Sequence, residues 1–134
     1  MATTDLRVGG SNELPISSSP GIVTQVKTID FSVNTAGDGD IFNVFHVPVN
    51  TWVLEVMVSV DTAEGHTATI EVGDATTIAQ YHTGLSIAAT ATTVSAATAW
   101  KFYSVANDIR IETNHAATGA AKITVRAVML RVTE

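Results

Sequence analysis

Apolar residues recur at alternate positions along most of this chain, and no stretch shows the three-to-four spacing of an amphipathic helix. The clearest alternation is "TWVLEVMVSVD" (51–61). Its pattern predicts a strand with Trp52, Leu54, Val56, Val58 and Val60 on one face and Val53, Glu55, Met57, Ser59 and Asp61 on the other. "HTATIEV" (66–72) predicts the next strand, with Ala68, Ile70 and Val72 inward and Thr67, Thr69 and Glu71 outward. "GIVTQVKTIDFSV" (21–33) alternates Ile29, Phe31 and Val33, and "NDIRIETN" (107–114) alternates Ile109 and Ile111 with Arg110 and Glu112. "IFNVFHVPV" (41–49) is apolar on both faces, the pattern of a strand covered on both sides, and "AAKITVRAVMLRV" (120–132) predicts a long strand whose two faces both carry apolar residues.

Turn residues punctuate these runs. "NTAGDGD" (34–40) and "TAEGH" (62–66) supply glycines able to take positive φ, and Pro48 lacks the N–H a ladder needs, so it belongs at a strand end or edge. "IAQYHTGLSI" (78–87) reads as a weaker strand or an irregular excursion, "AATATTVSAATA" (88–99) as a tightly packed strand or a loop, and "WKFYSV" (100–105) as an aromatic-rich segment. The count reaches eight or nine short strands. It predicts an all-β fold, an antiparallel β-sandwich with jelly-roll-like connections, over residues 21–134 as a single domain. Residues 1–20, rich in Gly, Ser, Thr and Asn with Pro15 and Pro20, have no period and read as a flexible tail, or as an extended arm that orders against a neighbouring subunit.

Composition sharpens this picture. Of the 134 residues, 46% are apolar and only 15% charged, against about 25% charged in an average soluble protein. Much of the surface is therefore Thr and Ala, which points to a face that meets another subunit. The formal net charge is −6 and the seven Lys and Arg are scattered, which argues against a nucleic-acid partner. No apolar run approaches the roughly 20 residues needed to cross a bilayer, and "MATTDLRVGGSNELPISSSP" lacks the basic start and apolar centre of a signal peptide, so synthesis in a cytoplasm is expected. The absence of cysteine removes disulfides and thiolate metal sites.

Candidate chemistry is thin. His46, His66, His82 and His115 show no close spacing for a shared metal, although strands can bring distant imidazoles together. Asp38 and Asp40 in "AGDGD" read as an Asp-Gly turn, because the further oxygen ligands and closing Glu of a calcium loop are missing. Glu64 reads as turn chemistry and Glu71 as solvated or paired across the sheet with a Lys or Arg. There is no G-x-S-x-G elbow and no phosphate-cradling glycine loop. No catalytic residue, cofactor or metal is expected. The aromatic residues Trp52, Trp100, Phe102, Tyr81 and Tyr103 suit a sugar platform, or core and interface anchors; Trp52, Trp100, Phe102 and Tyr103 are the interface candidates.

One resemblance follows from the placed strands. "VSVDTAEGHTATIEVGDATT" (58–77) resembles the central hairpin of small bacteriophage virion proteins encoded beside the major capsid protein, in which a V-x-T-A-E-G-x-T-A-T hairpin runs into a G-D turn. "VTQVKTIDF" (23–31), "FNVFHVPVNTWVLEVMV" (42–58), "YSVANDIRI" (103–111) and "AKITVRAVMLRV" (121–132) are similar to their flanking strands, so the likeness spans residues 22–132 but not the Gly-Ser-Pro start. It implies a capsid decoration (cement) or related head protein. Such a protein is a β-sandwich that trimerises and binds the major capsid protein on the outer surface of the virion, with no catalytic residues. Two other readings stand beside it: a carbohydrate-binding or host-adhesion module of a phage fibre or tail, and a small jelly-roll enzyme.

Overall fold

In the computed structural model the described residues are 3–5, 21–115 and 119–132. They form ten strands: β1 (Thr3–Asp5), β2 (Gly21–Asp30), β3 (Ile41–Val47), β4 (Thr51–Thr62), β5 (Ala68–Gly73), β6 (His82–Ser86), β7 (Ala91–Val94), β8 (Lys101–Tyr103), β9 (Asn107–His115) and β10 (Lys122–Arg131). A single 3-10 turn, Ala97–Ala99, separates β7 from β8. Sheet A has the order β1-β3-β9-β5-β6 and sheet B the order β2-β10-β4-β7, with β8 extending the β7 edge beside β4. Every pairing is antiparallel except β1 with β3, which is parallel. β1 thus places residues 3–5 of the expected N-terminal arm on the edge of sheet A. Residues 6–20 of that arm lie outside the described residues.

The all-β sandwich is the fold expected. Its pairing is nested: β2 lies beside β10, β3 beside β9, and β5 next to β6 at the far edge. The core between the sheets is aliphatic, with Val56, Val58, Ile123, Val125 and Met129 from sheet B and Val44, Ile70, Val72, Ile109 and Ile111 from sheet A, each 0–1% exposed. Phe31 and Phe42 close one side of it edge-on, with ring centroids 5.4 Å apart.

Two bulges explain where alternation misleads. In β4, Val128 faces Glu55 and Met129 faces Val53, so Leu54 is an extra residue with no partner. A bulged residue shifts the side-chain phase by one. Val53 therefore joins Val56, Val58 and Val60 inside, while Trp52 and Leu54, expected on the same face as those valines, turn outward. In β3 the register slips between Asn43 and Phe45, leaving Val44 unpaired. Both Val44 and Phe45 are then buried, and the doubly apolar pattern comes from this kink rather than from a cover on both faces.

The segments left open in the sequence resolve as short edges. Residues 78–87 yield β6, 88–99 yield β7 and the 3-10 turn, and the strand expected to run to Val33 stops at Asp30, leaving Val33 exposed in the following turn. Pro48 sits just past the end of β3, as its missing N–H requires. Asn50, at φ 56°, makes the tight connection into β4, a left-handed position that Asn tolerates better than most residues.

Candidate functional site

Three of the four expected interface residues, Trp52, Trp100 and Phe102, fall on the outer face of sheet B. Register builds a row across four strands: Ile22 faces Leu130, Leu130 faces Trp52, and Trp52 faces Phe102. The Trp52 and Phe102 ring centroids are 5.4 Å apart at a tilt of 53°. Trp100, just before β8, is 54% exposed and Phe102 is 38% exposed. With Leu54, pushed out by the bulge, Trp52, Trp100 and Leu130 wall a hollow of about 220 Å³. A second hollow of about 430 Å³, bounded by Glu55, Val94, Ser95 and Val128, lies on the other side of Leu54 and Trp100.

The same face changes character along the strands. Arg126 donates to Glu55 at 2.6 Å, so these two opposite charges on the face are paired. Further along, Thr28 and Thr124 share a hydrogen bond at 3.3 Å, Thr124 donates to Asp61 at 2.6 Å, and Thr92 donates to Ser59 at 3.3 Å. One sheet face thus has an aromatic end and a hydroxyl-rich end. Exposed large apolar side chains are thus concentrated at one end of this face.

Tyr103, the fourth interface candidate, points the opposite way. It is 3% exposed, because β8 alternates: Phe102 faces out while Lys101 and Tyr103 face the interior. The Tyr103 hydroxyl donates to Asp74 Oδ2 at 2.7 Å and meets the Tyr81 hydroxyl at 2.6 Å, and Lys101 Nζ donates to the same Asp74 oxygen at 2.7 Å. Asp74 Oδ1 accepts from the Thr76 and Thr77 amides and the Thr76 hydroxyl. Burial raises the Asp74 pKa, but the Lys101, Tyr103, Thr77 and Thr76 donors outweigh it and hold the carboxylate down to about 2. Desolvation first, then the Tyr81 and Asp74 neighbours, push the Tyr103 hydroxyl up, so it stays a donor. The Asp74 turn is tight enough to require Gly73, where a Cβ would come within 2.1 Å of the Thr77 carbonyl oxygen. With Tyr81 also buried, the five aromatics do not make one platform; three of them do.

The remaining candidates serve the fold. Gly65, at φ 88°, makes the expected turn. Glu64 does more than shape that turn: its buried carboxylate accepts from the backbone amides of Gly119, Ala120 and Ala121 at 2.9, 3.0 and 2.7 Å, and His66 approaches it at 3.1 Å. Burial raises the Glu64 pKa, but the three amides lower it further, so the net direction is down. Sequence spacing held no signal for this clamp, because the donors are backbone groups 55 to 57 residues away. Among the described residues no cation pairs with Glu71; it lies opposite Glu112 and accepts from the Gly84 amide at 3.1 Å. His46 contacts Asp108 at 3.4 Å, and His82 lies buried with Nε2 donating to the Val56 carbonyl at 2.8 Å. Among the described residues no three His, Cys, Asp or Glu converge as metal ligands. Asp40 accepts from the Gly37 amide at 2.7 Å within the 34–40 turn.

No protein-family model matches the sequence, and no curated protein matches it. Solved structures do share its fold. One chain of the cyanophage Pam1 capsid asymmetric unit superposes with a TM-score of 0.69 at 16% identity, covering 90% of this chain and 91% of that one. A chain from the capsid of Ralstonia phage GP4 gives 0.69 at 14% identity over 91% and 92%. A chain from the acid-stable capsid of Helicobacter pylori bacteriophage KHP30 gives 0.61 at 16% over 82% and 87%. This fold occurs in phage capsids.

Proposed function

We propose that this chain is a structural protein of a bacteriophage virion, a decoration (cement) protein that binds the major capsid protein on the outer capsid surface as a homotrimer and stabilises the head without catalysis. The observation that carries the reading is the aromatic row on the outer face of sheet B, displayed by a fold found end to end in chains of phage capsid structures. The hairpin at residues 58–77, the low charge and the acidic balance support it. The nested strand order supports a jelly-roll assignment. In this reading Trp52, Trp100 and Phe102 make contact, while Tyr103 holds β8 in place from beneath.

Physically the role needs little more than adhesion. A shell strained by packaged DNA gains when added subunits bridge capsomers, and many copies multiply a modest contact energy through effective concentration. The test is co-sedimentation of the purified protein with capsids stripped of decoration, alongside a sugar titration followed by tryptophan fluorescence. Saturable capsid binding, lost when Trp52 is replaced by Ser, with no response to sugar, supports the proposal. Sugar-dependent quenching without capsid binding supports instead the host-adhesion reading, in which Trp52 and Trp100 stack on a glycan.

A further inference from the structure

A sandwich of two open sheets has four edges, and three of them here are blunt. Sheet A ends in β1, three residues long, and in β6, five residues long and interrupted by Gly84 at φ 57°. The far edge of sheet B is divided between β7 and β8, of four and three residues, with the 3-10 turn between them. Short, broken edges are how soluble proteins avoid pairing with other chains. The fourth edge is different. β2 runs ten residues in unbroken register against β10, contains no proline, and carries one Lys, Lys27. Among the described residues nothing pairs with its other side. Its outward side chains include Ile22 and Val26, 69% and 60% exposed.

A second feature lies on the same strand. Gln25 is 8% exposed, and its Nε2 has no hydrogen-bond partner. A buried amide donor left unmade is costly, and native structures hold few of them. A carboxamide is both donor and acceptor, so two identical ones satisfy each other.

We propose that β2 is a two-fold pairing edge: the β2 of a second copy of this chain adds antiparallel to it, with Gln25 opposite the partner's Gln25. The two sheets B become one continuous sheet, and the two amides exchange hydrogen bonds across the axis. Directly opposed residues of antiparallel strands share a face. The register therefore sets Val26 against the partner's Thr24 and Ile22 against the partner's Thr28 on the outer face, and Lys27 against the partner's Val23 on the inner. Shifting the axis to Lys27 would bring two ammonium groups together, which opposed like charges disfavour. The contact runs along the β2 edge, meets the aromatic row only at Ile22, and does not require the proposed virion role.

The chain has no cysteine, which gives a direct test. Opposed residues in this geometry have Cβ atoms about 4.5–5.5 Å apart, near enough for a disulfide to close with small adjustment. The full-length Gln25→Cys protein, confirmed folded by circular dichroism, is oxidised beside a Val33→Cys control, whose site is exposed but off the edge. The expected result is a disulfide-linked homodimer forming at least about tenfold faster from the Gln25→Cys protein, since pairing raises the local thiol concentration. Equal rates, or no dimer from the Gln25→Cys protein, would overturn the proposal. A second measurement covers the unmodified chain: the Thr24 and Val26 amides should gain hydrogen-exchange protection as protein concentration rises, and concentration-independent exchange at both would equally sink it. Neither readout involves a capsid, so a failed capsid assay and a failed edge assay remain distinguishable.

Discussion

The Tyr103 hydroxyl and the Asp74 carboxylate meet at 2.7 Å across the gap between the two sheets. Asp74 follows the last strand residue of β5 in sheet A, and Tyr103 ends β8 in sheet B, so this contact and the neighbouring Lys101 pair tie a three-residue edge strand to the opposite layer. Replacing Asp74 by Asn keeps the turn acceptor Oδ1 but sets an NH2 against the Lys101 and Tyr103 donors. Breaking a buried pair from one side costs about 3–5 kcal/mol. Urea unfolding followed by tryptophan fluorescence should show a loss of that size for the Asp74→Asn protein. Amide exchange should show β8 loosening first.

Acid should weaken the fold in two stages, each from a group whose folded pKa is lowered. Burial lowers the pKa of His82 beneath 6.5, partly offset by its bond to the Val56 carbonyl. Below pH 6.5 the unfolded imidazole takes up a proton that the folded one refuses, so stability falls as pH drops through that window. The second stage begins near 4.5, where the unfolded carboxylates protonate while Glu64, and Asp74 down to about 2, stay charged in the fold. Urea midpoints at pH 7.5, 5.5 and 3.5 should decline throughout for the natural chain. The His82→Gln protein, which keeps a donor for Val56, should lose the first decline and retain the second.

Glu64 fastens the β4–β5 turn to the residues leading into β10. The Glu64→Ala change strands three amide donors and removes a charge-assisted set of bonds, worth about 1–3 kcal/mol by the cost of unmade buried hydrogen bonds. Hydrogen exchange should quicken at Gly119, Ala120 and Ala121 before it quickens in the central ladders. Exchange that changes equally everywhere would show the clamp to be inseparable from the core.

On the aromatic row, association and stability should separate. Trp100 is more than half exposed, so the Trp100→Ala change should alter folding stability by no more than about 0.5 kcal/mol, as surface substitutions usually do. Contact anchors commonly contribute about 2 kcal/mol or more to binding. Capsid affinity should therefore fall at least about tenfold while the thermal midpoint holds.

Much of the fold is legible in the chain because alternation and turn residues are local properties. Ala68, Ile70 and Val72 face inward as their spacing demands, and Gly65 turns where its neighbours lack the freedom. The failures share one cause, which is that they depend on partners distant in sequence. Nothing beside Leu54 announces a bulge, since the extra residue exists only relative to Val128 and Met129 on another strand. That one residue moves Trp52 off the face it was expected to share with Val56, Val58 and Val60. Tyr103 is the converse case: it sits among exposed aromatics in sequence, but Asp74, 29 residues earlier, draws it inside. Glu64 and Glu71 each look like surface acids until the Gly119 and Gly84 amides arrive.

The place of β10 between β2 and β4 has a consequence for how the molecule comes into being. The middle of sheet B is supplied by residues 122–131, about a hundred positions after the strand it joins to the edge. A growing polypeptide cannot complete that layer piecemeal. Until residue 131 has emerged from the ribosome, the valines of β4 have no neighbour on that side and the earlier strands wait with their oily surfaces uncovered. Folding of this kind, dominated by distant pairings, is slow, and the interval before closure is when the nascent protein is most prone to clump.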